Sequence, residues 1–505
     1  MKKFYIVAAL FLAGNVLYGQ TFEDAARFSR LTNFGTARSA AMGGAFGALG
    51  GDLSTMSYNP AGMGVFRKSE VAFSPLLNFN TTKSGRGAIE DASFQIGNLG
   101  GVISFYSPNF DWRGFNFGIS YTNLNNFNRK MKQLVPESYT SLTNKWAFES
   151  SGTPPEDLPN LSPFGANLAY NTYLIYNDEN NDYFSILEMQ AQNGDVYNEV
   201  VSQSKTIKED GYQGEYAFSF GTNYKDKLYL GMTVGLQSLS YKTKSTYNEA
   251  TPLDSPTGLD QFFYDEYQRI QGVGTNLKFG VIYRPIPEIR IGGAIHTPTW
   301  YNLSSRYSTA IGAWYNGTEA AIGRNEESYL SPSGELSVDY NMRTPWRAIV
   351  SLATVLKQKA IISVDYEYID YTNANFSDAS DGFDYYETNQ GIKDYLKATH
   401  NFRAGAEYRF NSIFSLRAGY SFWDSPYHNN NKNYDKVQAI SGGFGLNFGV
   451  FYCDAAYVHK YSKNETIFYS YFNPTLPLGN QYTESAPVKN KYLSNEAHLT
   501  FGVRF

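Results

Sequence analysis

The chain has 505 residues, of which 42% are apolar and 17% aromatic, with 42 Tyr, 36 Phe and 45 Gly. Its formal net charge of −5 removes any electrostatic reason to expect a nucleic-acid partner, and its single cysteine, Cys453, excludes an intramolecular disulfide. Length alone suggests about three soluble domains, but no Pro/Ser linker divides the chain.

Lys2 and Lys3 precede an apolar run from Phe4 to Leu12, and small residues lead to Gly19-Gln20. This is the pattern of a secretory signal peptide over 1–19, cut after Gly19. The run is interrupted by Gly14 and Asn15 and is too short to span a bilayer. No later stretch of about 20 apolar residues follows, so the exported chain is expected to cross a membrane only as a closed barrel.

Residues 20–68 do not alternate. Thr21-Phe22-Glu23-Asp24-Ala25-Ala26-Arg27-Phe28 predicts a short helix, with Thr21 as N-cap and Asp24 at the third helical position. Thr36 to Asp52 is rich in Ala and Gly, which permits close packing and sharp bends. Asn59-Pro60-Ala61-Gly62 is a turn signal. A flexible leader and a compact plug both fit this segment. Direct attachment to a first strand, and the need of a wide barrel for closure, favour the plug.

From about Glu70 the pattern alternates with period 2. Val71, Phe73, Leu77 and Phe79 mark the first strand, and about Ser93 to Ser107 the second. The third carries Phe115, Phe117, Ile119 and Tyr121 opposite Gly114, Asn116, Gly118 and Ser120. Tyr216, Phe218 and Phe220 turn at Lys225-Asp226-Lys227 into Leu228 to Leu236. Later pairs turn near Pro285–Glu288, Lys357–Lys359, Asn411-Ser412 and after Phe448. A strand from about Glu335 to Leu356 is broken by Arg343-Thr344-Pro345. The count is fourteen. Short turns alternate with long polar stretches at about 81–92, 125–211, 243–267, 300–334, 372–397, 425–435 and 464–490.

The final strand places Ala497, Leu499, Phe501, Val503 and Phe505 on one face, and His498, Thr500, Gly502 and Arg504 on the other. Alternation running to a terminal Phe is how a lipid-facing barrel closes, although a soluble barrel or sandwich could end the same way. The even count and the alternating connection lengths favour an all-β membrane protein. The expected fold is a 14-stranded antiparallel transmembrane β-barrel over 69–505, with short periplasmic turns and long extracellular loops.

Other chemistry is sparse. His296, His400, His428, His459 and His498 have no paired metal-ligand spacing. No His is followed two residues later by Ser, and no GxSxG elbow is present. No enzyme activity, metal or cofactor is therefore expected. Asp178-Glu179-Asn180-Asn181-Asp182 fits a solvated loop or a divalent-cation site. Arg113, Arg290, Arg403, Arg417 and Arg504 fall on lumen faces, where they meet a ligand carboxylate or pair with Glu407, Asp365 or Glu496. Cys453, between Phe451 and Ala455, reads as a small strand residue.

Taken in order, the N-terminal helix, the Gly/Ala-rich segment, Asn59-Pro60-Ala61 leading into strand one, the fourteen strands and Phe505 resemble the FadL/TodX family of outer-membrane transporters for hydrophobic compounds. Arg343-Thr344-Pro345-Trp346 also resembles a Pro-containing stretch of that family. The resemblance implies that residues 20–68 form a hatch in the lumen, with Asn59, Pro60, Ala61 and Gly62 as its motif. It implies passive uptake of a fatty acid-like or aromatic ligand and a lateral exit at a kink in strand three, near Arg113–Thr122, where Gly114 and Gly118 are the candidates. Ligand-contacting residues are not carried over, because the insertion from Phe127 to Val201 is longer than the family pattern. Phe501, Val503 and Phe505 resemble the C-terminal signal read by the barrel-assembly machinery. The expected setting is the outer membrane of a Gram-negative cell. The expected partners are a hydrophobic small molecule and outer-membrane lipid with lipopolysaccharide, around a monomer. A general porin and a structural or adhesive surface protein are the alternatives.

Overall fold

From Glu70 onward the alternating apolar side chains point outward, and successive strands pair antiparallel in chain order. The structure, a computed structural model, describes residues 21–505 apart from 86, 191–195, 254, 317–327, 358, 380–381, 429–434 and 473–481; the expected signal peptide lies outside the described residues. Among the described residues, fourteen staves form one closed wall. They are β1 (Glu70–Ser84), β2 (Gly87–Tyr106), β3 (Trp112–Asn126, continued by Arg129–Ser138), β4 (Val201–Tyr224), β5 (Leu228–Ala250), β6 (Leu259–Ile286) and β7 (Ile289–His296, continued by Trp300–Tyr315). Then come β8 (Leu336–Arg343 and Arg347–Leu356), β9 (Ala360–Asp370, continued by Asn375–Asp378), β10 (Ala398–Arg409), β11 (Phe414–Trp423), β12 (Val437–Asn447), β13 (Phe451–Thr466) and β14 (Val488–Arg504). β14 pairs with β13 on one edge and with β1 on the other, from Glu70↔Arg504 to Ser84↔Asn490. Phe505 closes the seam by exchanging two backbone hydrogen bonds of 3.0 Å with Ser69.

The outer face carries a band of exposed apolar residues, among them Phe73 and Leu77 on β1, Leu230 to Leu236 on β5, Leu277 to Tyr283 on β6, and Leu499 and Phe501 on β14. A band of this extent is stable only against lipid. Tyr212, Tyr216 and Trp300 border it on the long-loop side as part of an aromatic girdle.

Several staves are longer than the alternation predicts. β4, β5 and β6 have 24, 23 and 28 residues, where a bilayer needs about 9–11. Most of the expected 243–267 loop is therefore strand, as is the end of 125–211. Most of the expected 81–92 loop is also strand, since β1 and β2 stay paired out to Ser84↔Gly87. β7 resumes at Trp300 inside the expected 300–334 loop. Beyond the bilayer the outer face meets water while the inner face meets polar lumen groups and then the cap, so the apolar period on the outer face fades while the ladder continues. The break expected at Arg343-Thr344-Pro345 is present, and β7 has a matching one at Thr297-Pro298-Thr299. The two breaks are bonded to each other: Thr344 N donates to Thr299 O at 3.0 Å, and Thr299 N to Thr344 Oγ1 at 2.8 Å. Each proline removes a ladder donor at the same level of adjacent staves.

In the lumen the N-terminal segment holds α1 (Phe22–Ser29), α2 (Ala37–Ala41), α3 (Thr55–Tyr58) and a 3-10 turn, Pro60–Val65. The insertion between β3 and β4 is a folded cap containing α4 (Leu142–Ser150), α5 (Leu158–Leu161) and α6 (Ala166–Asn171). Its core of Leu142, Trp146, Leu168 and Leu174 packs on Tyr247, Phe262, Ile311 and Tyr315 from the protruding staves. Asp178, at a tight turn of the cap, accepts from the N–H groups of Asn180 and Asp182 at 2.8 and 2.9 Å. Buried Glu249, near the end of β5 and well beyond the apolar band, accepts from Ser141 of the cap, from Tyr247, and from Gln203 at 3.1 Å. Burial pushes this carboxyl up to about 7.

Candidate functional site

Residues 21–68 have little regular structure, so their backbone groups need partners other than their own helices. Lumen-facing side chains of the wall supply them. Ser421 donates to Gly43 O at 2.7 Å, Asn116 to Met63 O at 2.6 Å, Gln213 to Phe28 O at 3.1 Å and Arg290 to Leu49 O at 2.5 Å. In the other direction, Gly47 N donates to Asp365 at 2.9 Å and Ala37 N to Thr500 at 2.8 Å. These partners stand on staves all around the barrel. The segment is thus anchored across the lumen, and most of its residues are buried. At its start, the backbone N–H of Thr21 donates to Asp24 at 3.4 Å, the reach-back expected of this helix start.

Asn59 joins this segment to the wall. Its Nδ2 donates to Gly47 O at 2.6 Å and to Val281 O of β6 at 3.3 Å, and its Oδ1 accepts from Ala61 N at 3.1 Å. Pro60 begins the 3-10 turn, where its missing N–H is not needed. The wall makes room here with glycine: a Cβ on Gly280 would lie 1.9 Å from Asn59 Oδ1, and one on Gly231 2.1 Å from Pro60 O. Gly62 N bonds Asn59 O at 2.9 Å, and Gly62 O accepts from Gly51 N at 3.1 Å. Gly118 serves the same close approach, because a Cβ there would meet Met56 and Met63.

The lumen arginines are occupied. Arg417 pairs with Glu407 at 2.8 Å and with Asp454 at 2.5 Å, Arg403 with Glu367 at 2.9 Å, and Arg504 with Glu70 at 2.7 Å. Arg113, expected on the lumen face, instead lies at the short-turn rim, where a register shift at Trp112/Gly114 lets it pair with Asp226 of the Lys225-Asp226-Lys227 turn at 2.5 Å. Arg38 of the segment joins Glu407 at 2.9 Å, and Lys278 pairs with Glu215 under Ser57. Of the expected carboxylates, Glu407 takes an arginine, while Glu496 takes Lys460 at 2.6 Å and Asp365 takes the Gly47 N–H. Glu367, Asp454 and Glu70 were not anticipated. Glu70 stands opposite Arg504, Glu367 reaches Arg403 diagonally, and Asp454 reaches Arg417 across the glycines of β12, a signal visible only once the register is known. His296 bonds Tyr58 O at 2.8 Å as a wall contact.

Above α1 lies a cavity of about 1010 Å³. Phe22, Phe127, Tyr241, Tyr307, Tyr427 and Tyr492 line it, among ion-paired polar groups such as Arg129 with Glu209. A second cavity of about 330 Å³ lies under the cap, walled by Trp146, Phe164, Tyr264 and Phe468. The two share Lys205, Glu266 and Tyr307. Lys205 Nζ lies 3.3 Å from Glu266, and Tyr307 donates to Glu266 at 3.2 Å.

Beside the larger cavity the wall parts. β2 and β3 pair from Tyr106↔Gly114 to Asn98↔Thr122 and no further. Above this, among the described residues, Gly87–Ile96 pairs only with β1, and β3 carries irregularities at Trp112/Gly114 and Asn123/Asn125 in its register with β4. Gly114 and Gly118 both lie in the paired stretch. The exposed edge of β3 is covered from inside by the N-terminal segment. Thr32 N and Asn33 N donate to Leu124 O at 3.3 and 3.2 Å, and Asn33 Nδ2 to Asn123 at 2.6 Å. Among the described residues, side chains bridge the gap itself: Gln95 donates to Asn126 at 3.0 Å and Lys130 pairs with Asp91 at 2.7 Å. The run Asn123-Leu124-Asn125-Asn126 is the signal that marks this place, since Asn is depleted in strands.

This plugged 14-stave barrel is a known architecture. It matches a Pseudomonas aeruginosa FadL homologue with a TM-score of 0.54 and 13% identity, over 94% of this chain and 98% of that one. It matches the Pseudomonas putida toluene transporter TodX with a TM-score of 0.50 and 12% identity, over 94% and 99%. No family model and no curated protein matches the sequence. The protein therefore has the FadL/TodX-type fold, that of a multi-pass β-barrel of the outer membrane.

Proposed function

We propose that this protein is a channel for the passive uptake of hydrophobic molecules, aromatic or fatty acid-like, with residues 20–68 as its hatch and 69–505 as its barrel. One observation carries this reading: wall side chains hold the hatch across the lumen, and an aromatic-lined cavity is left between hatch and cap. A general porin needs an open aqueous lumen. Ligand enters under the cap, passes Lys205, Glu266 and Tyr307 into the larger cavity, and leaves sideways where β2 and β3 part, once Thr32–Gly35 withdraws. Phe501, Val503 and Phe505 face outward at the seam and serve as the signal for barrel assembly.

Two measurements test the proposal. Cells whose only transporter of this kind is this protein should take up a labelled monoaromatic or fatty acid but not a sugar of similar size. Equal uptake of both would replace the channel reading with a porin. Joining Gln95→Cys to Asn126→Cys by a disulfide, in a Cys453→Ser background, should stop uptake at least roughly tenfold, and reductant should restore it. Undiminished uptake through the joined wall would rule out the lateral exit while leaving the channel intact.

A further inference from the structure

The outer wall carries a row of cations that transport does not use. Residues opposite each other in neighbouring staves share a face and lie about 5 Å apart. Lys242 of β5 stands opposite Arg269 of β6, and Arg269 opposite Arg306 of β7. One step further out, Lys244 stands opposite Lys208 of β4. All are on the face of the exposed Leu236, six residues before Lys242 on the same stave. Like charges directly opposite destabilise a sheet, and the local carboxylates relieve only the margins. Asp210 lies opposite Lys242 but is bonded to Lys208 at 3.0 Å, and Asp265 lies 3.9 Å from Lys244. Glu335 is 3.8 Å from Arg306. Lys242 and Arg269 have no carboxylate partner among the described residues, and Arg269 Nε is buried without a hydrogen bond.

The height of the row identifies its ligand. The apolar band ends at Leu236 and Val273, and the aromatic girdle follows, with Tyr212 one same-face step below Lys242 and Trp300 three below Arg306. The row thus stands at headgroup level on the long-loop side and spans about 10 Å across three staves. We propose that Lys242, Arg269 and Arg306 bind a phosphorylated glycolipid of the outer leaflet. Its phosphates would neutralise the row, and its acyl chains would lie on Leu236, Val273 and Leu277 of the band below.

The test reads lipid, not transport. The full-length protein extracted from outer membranes in mild detergent should retain about one equivalent of phosphorylated glycolipid in native mass spectrometry. K242Q/R269Q/R306Q should lose it by at least roughly tenfold, whereas the equal charge loss K225Q/K227Q/R284Q at the opposite rim should not. Equal retention by both triple variants overturns the proposal. A delipidated wild-type arm does not depend on any variant folding. There, bisphosphorylated lipid A should bind and its dephosphorylated form should not, and inorganic phosphate alone should leave no bound species. Equal binding of the two lipids would assign the contact to the apolar wall, and binding of free phosphate would assign it to the anion alone; either result overturns the glycolipid site.

Discussion

The hatch and the cap occupy the same barrel but are held there by different balances of polar and apolar contact. The hatch is tied by hydrogen bonds and ion pairs from wall side chains to its backbone, and by several separate apolar clusters, the largest joining Ala25, Ala26 and Phe28 to Tyr241, Tyr301 and Tyr340 of the wall. The cap is fused to the protruding staves by one continuous core that runs from Val135 through Trp146 to Val488. Polar contacts exchange with water at little net cost, about 0.5–1.5 kcal/mol each. Burying one large apolar side chain is worth about 1.5–3 kcal/mol. The hatch thus rests on many polar ties together with separate apolar clusters, and the cap on one continuous apolar core.

The largest effect should come from deleting residues 21–68 while retaining the export signal. Single-channel conductance in planar bilayers should rise roughly tenfold or more, because a barrel of this size then leaves an aqueous lumen. If conductance does not change, the cap closes the barrel and the contrast is reversed. Next is Trp146→Ala. Trp146 is buried and meets Tyr264 edge-on at 5.3 Å. Its truncation should destabilise the cap by about 3–5 kcal/mol, seen as rapid proteolysis within 139–200, with the lumen still closed. A smaller change is expected for Asn59→Ala, which strips partners from Gly47 O and Val281 O and costs about 1–3 kcal/mol. It should raise the frequency of channel openings without moving the melting temperature of the barrel.

The smallest effect is one of pH on the cap. The Glu249 carboxyl titrates near 4.5 when solvated and at about 7 in the folded protein, where burial favours the neutral form. The folded state therefore binds the extra proton. This contribution to cap stability is full below about pH 4.5, declines as pH rises towards 7 and is absent above it. Cap proteolysis should be slower at pH 5 than at pH 8, and Glu249→Gln should abolish the difference. A cap equally resistant at both pH values would show that the carboxyl stays charged.

The strand count, the closing strand and the proline break of β8 were legible because within the bilayer the face each residue meets is dictated by period 2. The same rule failed above it. Lys242 to Thr246 is polar on both faces yet fully paired, so only the partner staves reveal it as strand. The cap was hidden because its helices are short and its core residues come from staves far apart in sequence, such as Tyr247, Ile311 and Val488. Asn59-Pro60-Ala61-Gly62 marked a turn, but its docking depends on Gly280 and Gly231, more than 160 residues away. On β3 one register shift adjoins Gly114 and a second lies beyond Gly118 at Asn123/Asn125, and neither is visible without the partner stave.

The wall contacts of the hatch also bear on the order in which the molecule is made. The residues that satisfy its backbone belong to staves from β3 to β14, and Ala37 waits for Thr500. The hatch precedes every stave in the chain, yet its wall partners are spread from β3 to β14, so its full set of ties is complete only once the seam at Ser69 and Phe505 has closed.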